Sequence, residues 1–176
     1  MEKTEDIHMS DRDEAFMKLV QMMAHDKKTV ENAAYYLDGP GRGATDKEKR
    51  IKLIDLLLQD GSAMGFDDND DVGDIVWCLD DISEYYHLMI SESWFSDEDG
   101  LLGWFRTLSE RWGRNGVAVL CIEDPKGRMY PIYAVEYTAV PAILEQAKKA
   151  DIPICRVEDL KESDEKEEPP IDFSME

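Results

Sequence analysis

Apolar residues recur at three- and four-residue spacing through most of the first sixty positions, the mark of helices that bury one face. Phe16, Leu19, Val20 and Met23 form one such stripe. Ser10, Asp11, Asp13 and Glu14 precede it and suit the positive end of a helix. A second helix is predicted from Thr29 to Leu37, and Gly39-Pro40-Gly41-Arg42-Gly43 ends it. Thr45 and Glu48 then make a capping-box pair for a third helix, with Ile51, Ile54, Leu57 and Leu58 on its apolar face.

Beyond Gly61 the pattern changes. Ser62 to Phe66 reads as a short strand, followed by Asp67-Asp68-Asn69-Asp70-Asp71. From Asp74 to Tyr86 two periods compete. As a strand, Ile75 to Leu79 is one short buried run; as a helix, Ile75, Leu79, Ile82 and Tyr86 fall within about 60° of one another. The apolar spacing lasts for about three turns and acids crowd its start, which favours the helix.

Ser96 with Asp97, Glu98 and Asp99 opens a further predicted helix, whose Leu101, Trp104, Phe105, Leu108 and Trp112 share a face. Val117 to Ile122 and Tyr130 to Tyr137 are strands joined by Asp124-Pro125-Lys126-Gly127, a tight-turn sequence. Thr138 is expected to cap a helix reaching Ala150, with Pro141 tolerated in its first turn. Ile152 to Val157 reads as a last strand.

These elements give an α+β fold: a helical N-terminal region (11–60), then an α+β core (61–157) of the same globular unit, with a small antiparallel sheet packed with helices. The order strand, helix, helix, hairpin, helix, strand resembles a split βαβ arrangement with an extra helix. Residues 1–10 and the acidic tail 158–176 have little to bury and are expected to be disordered.

Charge alters this picture in one place. Forty acidic residues stand against twenty basic ones, a formal charge of −20. Residues 61–100 hold twelve acids and no Lys or Arg, whereas residues 101–157 hold six acids and eight basic residues. Such an excess argues against nucleic acid or an anionic membrane as partner. Cys78, Cys121 and Cys155 are odd in number and far apart, which fits thiols in a reducing cytoplasm better than a disulfide framework. The polar stretch Met1 to Ser10 lacks the apolar core of a secretory signal.

Candidate chemistry is sparse. The 39–43 glycines follow a helix rather than a strand, and Ala44-Thr45 replaces the Lys of a phosphate-binding loop, so a helix connector is expected. Asp67, Asp68, Asp70 and Asp71 could hold Ca²⁺ or Mg²⁺, although an EF-hand frame from Asp68 puts Leu79 where the bidentate Glu belongs. His8, His25 and His87 lack metal-ligand spacing, and no serine or cysteine lies in a nucleophile signature.

Trp77 is more informative. In a helical frame it faces away from the apolar stripe, with Asp74, Asp80, Asp81 and Glu84 around it. An aromatic ringed by carboxylates suits a basic protein partner, through burial and cation–π contact; the alternative places Trp77 inside a strand or under the N-terminal helices. Trp94 and Phe95 could extend the same surface. The overall organisation resembles small bacterial domains of unknown function, many of which act as partner-binding or immunity proteins, and no motif assigns a family. The expected function is therefore a cytosolic, non-enzymatic, acidic interaction domain with no cofactor. A divalent-cation module or metal-dependent enzyme built on Asp67–Asp74 is the alternative.

Overall fold

In the computed structural model, which describes residues 10–161, six helices and four strands follow the order read from the sequence. Helices α1 (Asp11–Met23), α2 (Lys27–Asp38) and α3 (Asp46–Asp60) come first. Strand β1 (Ala63–Phe66) leads to α4 (Val72–Tyr85) and α5 (Gly100–Gly113). The hairpin β2 (Val117–Ile122) and β3 (Tyr130–Glu136) precedes α6 (Val140–Ala150) and β4 (Ile154–Arg156). The competition over 74–86 is thus resolved as helix.

Local chemistry sets the helix starts. The Ser10 hydroxyl accepts from the Asp13 N–H, and Thr45 with Glu48 forms the expected reciprocal box. Asp71 and Asp74 form a second box at α4 that the sequence reading missed, because its closing residue is Asp rather than Glu. Two expected starts are corrected. Ser96 caps a 3-10 turn over Asp97–Asp99, and Gly100, at φ 75°, redirects the chain before α5 begins. Thr138 caps nothing: it lies inside a 3-10 turn, Tyr137–Ala139, that runs directly into α6 and leaves it without a side-chain cap.

The sheet order is β1-β3-β2-β4, with every neighbouring pair antiparallel. Two split β-α-β units therefore share the central hairpin. β1 connects through α4 and α5 to β2 with β3 between, and β3 connects through α6 to β4 with β2 between. Both crossovers step in the same direction along the sheet, but they start from antiparallel strands. Right-handed connections must then lie on opposite faces. The helices are arranged in that way. On one face α1, α2, α3 and α6 enclose Ala118, Leu120, Ile122, Tyr133 and Val135; on the other α4 and α5 enclose Val117, Val119, Cys121, Ile132 and Ala134.

Burial on both faces explains why all six residues of β2 are buried instead of alternating with polar ones. Within the first core, Phe16, Leu19, Val20 and Met23 of α1 are fully buried, chiefly against α6. Tyr133, on the interior strand β3, packs into this core and donates its hydroxyl to the Met23 carbonyl at 2.8 Å. Trp104 and Trp112 of α5 anchor the second core, their indole N–H groups bonded to the Ser96 and Met89 carbonyls.

After β4 the chain makes a 3-10 turn, Val157–Asp159, and lies back along α5. Val157 and Leu160 pack into the second core, and Arg106 donates to the Leu160 carbonyl at 2.9 Å. Glu158 to Lys161 are thus placed within the fold, while the expectation of disorder for 1–9 and 162–176 lies outside the described residues. Among the described residues no helix is long and apolar enough to cross a membrane.

Candidate functional site on the outer face of α4

Helix α4 buries Val72, Ile75, Leu79 and Ile82 against the sheet, which fixes its rotation and turns the opposite side outward. Trp77 stands on that side, 81% exposed. Asp74, Asp80, Asp81 and Glu84 are exposed on the same helix, three, four and seven residues away from it. The five residues marked by the sequence are therefore brought onto one surface. A shallow cavity of about 500 Å³ lies beneath Trp77, Asp80 and Asp81. Met64 of β1, Val76 and Glu92 complete its wall, whereas Asp74 and Glu84 stand outside it.

Glu92 and Met64 were not identified from sequence. Glu92 belongs to the stretch without Lys or Arg, so its charge was visible, but only the turn after α4 carries it back beside Gly73, where a side chain would lie 3.9 Å from its Oε2. Trp94 and Phe95 do not extend this surface. Phe95 is buried in the second core, and the Arg111 guanidinium covers the Trp94 ring at 4.8 Å from its centroid.

The loop before α4 divides the acidic run. Asp70 accepts from the Asp67 N–H at 2.8 Å, Asp67 from the Asn69 N–H at 2.8 Å, and Asp71 and Asp74 exchange bonds in their capping box. These carboxylates satisfy backbone donors at a helix start, where the dipole also favours them. Asp67 and Asp68 face a separate cavity of about 770 Å³ at the hairpin tip. Among the described residues no three of His, Cys, Asp and Glu gather as a metal ion would require.

Cys78, His87, His25 and Tyr86 are the other ionisable groups that the sequence or the packing draws attention to. Burial, and then Asp70 and Asp74, raise the Cys78 thiol pKa, which keeps it protonated and weakly nucleophilic. His87 follows the end of α4, about 13 Å along the axis from Cys78, too far for a dyad. His25 stacks on Tyr85 with ring centroids 4.0 Å apart, and Tyr86 and Tyr133 lie close by. Burial lowers its pKa, only partly opposed by Asp60, and its Nε2 is buried without a hydrogen-bond partner among the described residues. Tyr86, pushed up to about 12 by burial and then by Tyr85 and Glu136, stays neutral and donates to the Ala134 carbonyl.

The 39–43 loop serves packing. The Tyr36 ring occupies the space a side chain at position 41 would need, which only Gly41 leaves open.

Residues 8–158 match the family described as Domain of unknown function (DUF6630), and the chain belongs to that family. Neither the curated proteins nor the solved structures provide a significant match.

Proposed function

We propose that the protein is a cytoplasmic, non-enzymatic interaction domain whose α4 face receives a basic segment of a partner protein, in the manner of an immunity or inhibitor protein. The observation that carries this reading is Trp77, 81% exposed among carboxylates in a forty-residue stretch without Lys or Arg. A Trp covered by a partner buries on the order of 200 Å². At ~25 cal/mol per Å² that favours binding by roughly 5 kcal/mol before the cost of association. The surrounding acids steer a cationic partner to the face and select against an anionic one. A guanidinium or ammonium seated over the indole gains cation–π attraction as well.

The test is affinity capture from lysate at low salt with wild type, Trp77→Ala and the triple variant Asp80→Lys/Asp81→Lys/Glu84→Lys, followed by identification of the retained proteins. The expected result is a basic protein held by wild type, released as salt rises, and lost from both variants. A captured set identical across the three baits would overturn the proposal.

A further inference from the structure

The outer face of α5 has the opposite character. Arg106, Ser109 and Arg114 line up along it at helical spacing, and they border a cavity of about 390 Å³. Tyr137, just past β3, and Arg156, from the end of β4, close the cavity from the sheet side. Three arginines thus line one hollow in a protein of formal charge −20. They come from segments about forty to fifty residues apart in sequence, so helical periodicity alone does not produce the grouping.

The cavity already holds a carboxylate. Glu158 accepts from the Ser109 hydroxyl at 2.8 Å through one oxygen and pairs with Arg156 at 3.4 Å through the other. Arg156 is itself preorganised, its guanidinium 4.5 Å above the Tyr137 ring. Arg114 pairs with Glu110 at 3.3 Å along the exposed helix surface, and Arg106 meets a neutral carbonyl, that of Leu160. Among the described residues Arg156 therefore has Glu158 and Asp159 beside it and Arg114 has Glu110, whereas Arg106 bonds a neutral carbonyl, in a hollow also lined by Val117 and Ala118. Planar guanidinium forks match the oxygens of carboxylate and phosphate, whereas water and chloride use them less completely.

We propose that this cavity is a binding site for the oxyanion head, carboxylate or phosphate, of a small molecule, which takes the place of the Glu158 carboxylate, with Arg106, Arg114 and Arg156 as its cationic wall and the Ser109 hydroxyl, released from Glu158, as its neutral donor. Glu158 marks the orientation such a group takes. The site is separate from the α4 face and stands whether or not that face binds a protein.

The test is an NMR titration of the ¹⁵N-labelled protein at low ionic strength, with inorganic phosphate and, separately, sodium acetate. The expected result is saturable shifts at Ser109, Gly113, Val117 and Tyr137 with at least one of the two anions. The more effective anion identifies the head group. Arg156→Gln should weaken that binding by about tenfold or more, the loss of a charge-assisted bond. Arg111→Gln, which removes an arginine lying over Trp94 outside the cavity, should leave it unchanged. The proposal is overturned if neither anion gives saturable shifts, or if the two variants weaken binding equally, which would mark a diffuse charge effect. A folded amide spectrum of each variant is required for the comparison, and Arg106→Gln replaces Arg156→Gln if the latter does not fold.

Discussion

Helices α4 and α5 pack on the same face of one sheet, share one apolar core and have the same length, yet their outer faces are opposites. The outer side of α4 carries Trp77 with Asp80 and Asp81; that of α5 carries Arg106 and Arg114. Their inward residues are interchangeable in kind: Ile, Leu and Val on one, Leu, Phe and Trp on the other. The core therefore constrains only half of each helix, and the sign of the outward half is free to serve a ligand. The charge of −20 is then a sum over regions of different sign and cannot be read as a uniform field at any one surface.

The largest effect expected from this comparison lies on its inner side. Trp112 is 1% exposed and its indole N–H bonds the Met89 carbonyl at 2.9 Å. Trp112→Ala removes a large ring from a closed core and leaves that carbonyl without its donor. It should lower unfolding stability by about 3–5 kcal/mol, measured by urea denaturation. A loss below about 1 kcal/mol would mean that α5 is not packed as tightly as its inward face implies.

How much of this was legible in the sequence follows from the same division. The helices and the hairpin were readable because apolar periodicity, the Thr45–Glu48 box and the Asp124–Gly127 turn are local. The α4 rotation that exposes Trp77 also followed from spacing alone, since Ile75, Leu79 and Ile82 define one stripe. Which face of the sheet each helix covers was not readable, because it depends on the order β1-β3-β2-β4 and on the hand of two crossovers. The arginine cavity was hidden for a related reason. Arg106 and Arg114 share a helix face, but Arg156 joins them only once β4 pairs with β2. Phe95 shows the reverse failure: flanked by acids in the sequence, it is drawn into the core by turns that have no periodicity to read.

A second, smaller effect separates a structural carboxylate from the solvated ones on α4. The Asp124 side chain is 1% exposed within the hairpin turn. It accepts from the Lys126 and Arg128 backbone N–H groups at 3.2 and 2.9 Å and from the Arg128 guanidinium at 3.1 Å. Burial alone would raise its pKa, but these bonds outweigh it and hold the carboxyl below its ordinary value of 3.8. A carboxyl depressed in the folded state takes up its proton more readily when unfolded. Its contribution is complete above pH 3.8 and is lost as pH falls through the folded value. Asp124→Ala should cost about 1–3 kcal/mol at neutral pH by denaturant titration. The gap from wild type should narrow in more acidic buffer. Asp80→Ala, on the open face of α4, should carry no comparable cost at neutral pH.

The smallest expected change in stability falls on the residue that matters most to the outer comparison. Trp77→Phe leaves the core untouched and should alter unfolding stability by no more than about 0.5 kcal/mol. Its signature is optical. Trp104 and Trp112 are buried, so emission open to collisional quenchers comes from Trp77 and, in part, from Trp94. The two indoles sit in opposite fields, Trp77 beside Asp80 and Asp81 and Trp94 under Arg111. At low salt a cation such as caesium should quench Trp77 selectively, and iodide should favour Trp94. Trp77→Phe should therefore remove most of the caesium-quenchable emission while retaining the iodide-quenchable part. Equal losses with both ions would show that the acids beside Trp77 create no local field, and the electrostatic half of the proposed docking face would fall with that result.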